Sequence, residues 1–263
     1  MPLNSSSTGG RGFAWWSALV VLLSAFLLFQ VQPVISKMIL PWFGGSPAVW
    51  TTCMLFFQVA LLAGYAYAHW LSQARDAGRQ AFIHVVLLGA ALLLLPIIPG
   101  DSWKPAGSEH PTTRILVLLS VCVGLPYFAL ASTGPLVQAW FARVCPDRSP
   151  YWLYALSNVG SLGALLSYPF WIEPMFGTRT QGIVWSIGFG LFALACGGLV
   201  LTVRNIALRQ DATEPTSAGR GTASGDMGAG GAAAVEALPS ITNRLLWLAL
   251  PALRSEEHTS ELQ

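Results

Sequence analysis

Apolar residues run along this chain in long blocks, without the strict alternation of a half-buried strand. Residues 12–36, 38–74, 80–100, 115–142, 149–172 and 180–203 contain no Asp, Glu, Lys or Arg. A helix that crosses hydrocarbon needs about 20 apolar residues, and a charge inside it costs roughly 2.5–3.5 kcal/mol on insertion scales. Each block is long enough to cross. The pattern predicts an all-α polytopic membrane protein with helices over 13–37, 48–70, 81–99, 115–142, 150–172 and 181–203. A seventh apolar stretch begins at Leu245 and stops at Leu253.

Composition points the same way. Of 263 residues, 54% are hydrophobic and 10% charged, against about 25% charged in soluble domains. The net charge of +2 is small and its basic residues are scattered, so no nucleic-acid partner is expected. Arg11 precedes an apolar run that continues past Phe29 without a small-residue cleavage site, which makes it a span and not a secretory leader. Four dispersed cysteines and four dispersed histidines form no C-x-x-C or ligand cluster, so no metal and no cofactor is expected.

The basic residues also orient the helices. Arg11, Arg75, Arg79, Arg143, Arg148, Arg204, Arg209, Arg220 and Arg244 fall on one side of such a six-span arrangement, and Lys37, Lys104, Arg114 and Arg179 on the other. The excess places the first side, and the N-terminus, in the cytoplasm. Residues 1–12 are then a cytoplasmic tail, 13–203 a six-helix transmembrane module, and 204–241 a flexible linker rich in Ala, Gly, Ser and Thr. Residues 242–253 begin a truncated seventh span. Residues 254–263 (RSEEHTSELQ) look like a translated sequencing adapter, so further helices are expected as missing partners of this chain.

Shifted by 102 to 103 residues, the first three spans echo the second three. Pro33 meets Pro135, Ser46-Pro47 meets Ser149-Pro150, Leu62 meets Leu165, and Tyr65 meets Tyr168. Ser-Pro opens a helix well, because Ser can cap free amides and Pro at the first position has no amide to lose. Three spans per unit would invert the second copy, as in secondary transporters. Common capping and interfacial tyrosines would explain the same identities.

Polar residues recur at helical spacing on two of the predicted spans: Thr51, Gln58, Tyr65 and His69, then Tyr154, Asn158, Ser161 and Tyr168. In lipid such stripes face protein or a water-filled cavity. Gln30, Pro33 and Lys37 share a face at the end of the first span, where Lys37 either binds a solute or reaches for headgroups. Gln138 and His84 either line an inner cavity or are satisfied core residues. Pro33, Gly124, Pro126, Gly134 and Pro135 are candidate hinges, since each weakens or removes backbone hydrogen bonds. The pairs Ser157/Ser161, Gly160/Ala164 and Ala193/Gly197 suit close helix approach.

The segments QPVISKMILPWFGGSPAVW (32–50), LPYF (125–128), GPLVQAW (134–140) and YWLYALSNVGSLGALLSYP (151–169) resemble the fused major facilitator and spermidine synthase-like membrane proteins of bacteria. The loop ARDAGR (74–79) is similar to the D-R-x-G-R loop of major facilitators, with its first Arg-Asp pair transposed. The resemblance implies a 3+3 half-module in the bacterial inner membrane, followed in many members by a soluble spermidine synthase-like domain. That domain's Gly-rich loop and acidic residues do not occur here, so no catalytic residue carries over.

The leading expectation is a transport-related module for a small solute, polyamine-related by the resemblance, with a cavity between spans one, two, four and five. An anchor for a cytoplasmic aminopropyltransferase-like or methyltransferase-like domain, or a packing module without transport, are the alternatives.

Overall fold

The computed structural model describes residues 6–74, 76–105 and 111–213, all within one compact unit, Met1–Pro215. The regular elements among them are all helical. The expected continuation of the linker beyond Thr213, the seventh span and the adapter-like tail lie outside the described residues.

Six helical bodies follow the six charge-free runs. They are α1 (Ser6–Ile39), α2 (Pro47–Ser72), α3 (Ala77–Leu92), α4 (Pro111–Val144), α5 (residues 151–175) and α6 (Thr178–Thr213). Helix α1 therefore begins inside the expected N-terminal tail, and α6 continues past 203 into the expected linker. Four stretches are long and apolar enough to cross a membrane: Gly12–Trp42, Pro47–Ser72, Pro111–Val144 and Thr178–Ile206.

The third run corrects the expectation of a helix over 81–99. Helix α3 has 16 residues, about 24 Å at 1.5 Å per residue, short of the roughly 30 Å of hydrocarbon. Pro96 and Pro99 stop it, since proline has no amide and disfavours helical backbone before it. Asp76 starts it, accepting a hydrogen bond from the Gly78 amide at 2.8 Å. That is the function of the aspartate in the ARDAGR loop here; Arg75 lies outside the described residues.

Ser46-Pro47 opens α2 with extended Ser46 and Pro47 at the first turn, although the Ser46 hydroxyl caps no amide. In the second copy the first helical residue is Tyr151, and the Ser149 hydroxyl accepts from its amide at 3.3 Å. The expected kinks take a different form from an interruption. Helix α4 stays continuous through a π-helical turn, Ser120–Gly124, just before Pro126. Helix α5 does the same at Tyr168–Ile172, which contains Pro169. A wider turn accommodates the missing amide and the ring without ending the helix. Pro33 and Pro135 sit inside uninterrupted α-helix.

Helices α1 and α4 form the centre. Helix α1 packs on α4, α5 and α6, while α4 packs on α1, α2 and α3, and α3 meets α6 behind them. Two glycines set the closest approaches. A Cβ on Gly64 of α2 would lie 2.7 Å from Ala131 Cβ of α4, and one on Gly160 of α5 would lie 2.8 Å from the Leu22 carbonyl oxygen of α1. The Gly160/Ala164 pair is thus an interface, both residues being buried. In α6 the contact falls one residue later than expected, at Gly198 against Trp16, while Gly197 faces open space.

The outward faces are apolar. Leu93, Leu194, Trp15 and Phe170 are 85%, 75%, 72% and 71% exposed, whereas soluble monomers rarely expose contiguous apolar patches above a few hundred Å². Such faces suit contact with a lipid bilayer.

Candidate functional site

The long helices bring their polar residues together at one place. A cavity of about 390 Å³ opens between α1, α2, α4 and α5, lined by Ser24 and Phe29, by Tyr65, by Gly134, Pro135 and Gln138, and by Tyr154, Ser157, Asn158 and Ser161. It runs from mid-length of α1 to the first turn of α5, so it lies toward the end where α1 begins.

Among the described residues that line it, none is Asp, Glu, Lys, Arg or His. Two hydroxyls bond back to their own helix, Ser24 to the Val21 carbonyl at 2.9 Å and Ser161 to the Ser157 carbonyl at 3.0 Å. Among the described residues, the side chains of Tyr65, Gln138, Tyr154, Ser157 and Asn158 make no hydrogen bond. Tyr65 and Tyr154 both line it, and both are about half-exposed or more, at 49% and 61%. The cavity is therefore accessible along its α2/α5 side.

One helical turn beyond it, the bundle closes. Gln32 of α1 donates to the Tyr127 hydroxyl of α4 at 3.3 Å, and the Tyr127 ring meets Phe57 of α2 with centroids 5.0 Å apart. Tyr168 of α5 reaches the Pro33 carbonyl of α1 at 3.5 Å and Gln181 of α6 at 3.3 Å. Aromatic rings and amides from five helices seal this end.

The residues expected from sequence thus divide. Tyr65, Gln138, Tyr154, Asn158 and Ser161 share the cavity with the hinge candidates Gly134 and Pro135. Thr51 and Gln58 are exposed on α2, away from it, and Thr51 bonds the Pro47 carbonyl at 3.0 Å. Tyr168 belongs to the seal, and Pro33, Gly124 and Pro126 lie on the same side as the seal. Gln30 is 4% exposed and neither amide atom has a partner. It stands on α1 between Leu27, whose carbonyl accepts from Trp185, and Pro33, whose carbonyl accepts from Tyr168. Ser157, expected with Ser161 to serve close helix approach, lines the cavity instead, three residues after Tyr154 and four before Ser161. No local pattern marks Ser24, Phe29, Gln32 or Tyr127 for these positions.

Lys37 also departs from expectation. Its ammonium pairs with Glu173 in the last turn of α5, the two side chains being 38% and 41% exposed. It lines a second cavity, of about 670 Å³, at the sealed end with Trp42, Ile98, Asp101 and Arg179. Lys104 pairs with Asp101 at 2.7 Å, and the hydrogen bond from that ammonium holds the Asp101 carboxyl below the usual carboxylate range.

His84 is fully buried away from the cavity, 3.0 Å from the Thr133 hydroxyl. That hydroxyl spends its proton on the Ala129 carbonyl at 2.7 Å, so His84 Nε2 is the donor and Nδ1 carries the lone pair. Among the described residues no group of three His, Cys, Asp or Glu is placed to hold a metal. No family model, curated protein or solved structure matches this chain.

Proposed function

We propose that this chain is the membrane module of a small-solute transporter, with the central cavity as the solute site and the Tyr127 layer as one of its two gates. The observation that carries this reading is the set of five polar side chains without a hydrogen-bond partner among the described residues, gathered in one cavity among otherwise apolar helices. In lipid a polar group is costly unless it serves a partner or a pathway.

A 3+3 arrangement is part of the proposal. Exchanging α1 with α4, α2 with α5 and α3 with α6 leaves the principal helix contacts unchanged, which supports a repeat. Six spans require α3 to be completed by the non-helical segment after it. That segment is chemically equipped for lipid depth: the amides of Leu94, Leu95 and Ile98 bond to Ala91, Leu92 and Pro96 carbonyls, and the Ile97 amide bonds to the Ser186 hydroxyl at 3.3 Å. Pro96 and Pro99 have no amide to satisfy. The excess of basic residues on one side supports a cytoplasmic N-terminus in a bacterial inner membrane. Transport then proceeds by rocking of α1–α3 against α4–α6 around the cavity.

The test is solute flux through the purified chain in liposomes, beside Gly134→Trp. Gly134 lines the cavity with open space where a Cβ would go, so the indole plugs the path and flux falls to the level of empty liposomes. Unchanged flux in Gly134→Trp removes this cavity as the path. Absence of flux in the parent for every class of solute removes the transport reading.

A further inference from the structure

We infer that the solute of the central cavity is uncharged and rich in hydroxyl or amide groups; this rests on the transport reading above and names its substrate class. Among the described residues the cavity wall contains no ionisable side chain other than the two tyrosines. The ion pairs among the described residues, Lys37 with Glu173 and Lys104 with Asp101, belong to the sealed end. A solute bearing a full charge would enter without a counter-charge, and an uncompensated charge away from water costs far more than a hydrogen bond returns.

The unspent groups fit a neutral polar solute. Tyr65, Tyr154 and Ser157 each offer one hydroxyl that donates and accepts, while Gln138 and Asn158 each offer a carbonyl and an NH₂. Every one of the five works in both directions, as a polyol or a carboxamide requires. An anion would be met by acceptor lone pairs as readily as by donors, and a polycation would find acceptors but no carboxylate. Phe29, Tyr65 and Tyr154 also line the cavity and offer it apolar aromatic surface, which suits the carbon skeleton of a polyol. The volume of about 390 Å³ lies near the lower end of small-molecule sites.

The experiment is counterflow of four labelled probes into liposomes holding the whole chain: sorbitol as a polyol, alanine as a zwitterion, spermidine as a polycation and succinate as a dianion. Sorbitol is expected to enter at about ten times the rate seen in empty liposomes or more, with the other three at the empty level. Gln138→Leu with Asn158→Leu keeps the bulk and removes two hydrogen-bonding groups, and is expected to cost sorbitol flux about tenfold. Asn158→Asp is expected to shift preference toward spermidine. Entry of alanine, spermidine or succinate as fast as sorbitol, or without it, overturns the inference and leaves the transport reading standing. Entry of none of the four overturns the transport reading and the inference with it.

Discussion

Gly160 shows how much one missing methyl group decides. Helix α5 lies so close to α1 that a Cβ at this position would meet the Leu22 carbonyl oxygen at 2.8 Å and Ala25 Cβ at 3.3 Å. Backbone cannot swing aside, so Gly160→Ala is expected to push α5 off α1 and cost about 1–3 kcal/mol, read as a lower unfolding temperature in detergent. Gly163, one turn away, has its nearest neighbour at 4.0 Å. Gly163→Ala should be neutral or stabilising by up to ~1 kcal/mol, through helix propensity alone. Equal losses at both positions would show that helix contact is not the cause. The sequence made Gly160 visible through its partner Ala164. It could not show the same for Gly64, whose close neighbours Phe128, Ala131 and Ser132 come from another helix.

At the scale of elements, α1 and α5 are joined at the sealed end by Lys37 and Glu173 as well as by packing. Exposed pairs contribute about 0.2–1 kcal/mol, and this one, with side chains 38% and 41% exposed, belongs among them. Glu173→Lys is expected to lower the unfolding temperature by placing two cations together, and Lys37→Glu with Glu173→Lys to restore it. A double variant no better than the single would remove the pair as a link between the helices. Sequence reasoning read Lys37 as a lysine reaching for headgroups or solute because its partner is 136 positions away. The continuity of α4 was equally hidden. Its prolines signal a break, and a π-helical turn at Ser120–Gly124 shows how the chain absorbs it, as a second one does at Tyr168–Ile172 of α5.

For the whole molecule, the prediction concerns how many times the chain crosses. Gln73, Ser102 and Asp147 stand in three successive connections, beyond α2, α3 and α4. Single cysteines placed there, in a chain freed of its own four, are labelled in intact cells with a membrane-impermeant maleimide. Six spans with a cytoplasmic N-terminus expose Ser102→Cys and protect both Gln73→Cys and Asp147→Cys. If α3 does not cross, positions 73 and 102 react alike, and the six-span arrangement fails. The apolar faces make the need for a bilayer clear at this scale, and the charge bias supplies a direction.

Block hydrophobicity by itself determined that this is a helical protein made for lipid, since any helix free of charge over twenty residues has no better place for its side chains. Helical spacing also picked out Tyr65, Tyr154, Asn158 and Ser161, because residues on one stripe of a helix share whatever that stripe faces. Tertiary structure alone decided where each stripe leads. Gln58 precedes Tyr65 by seven residues, about 10.5 Å along the axis, and so falls outside a cavity that reaches α2 only at Tyr65. The seal made by Gln32, Phe57, Tyr127, Tyr168 and Gln181 is assembled from five helices, and no local pattern encodes a contact whose members are brought together only by packing.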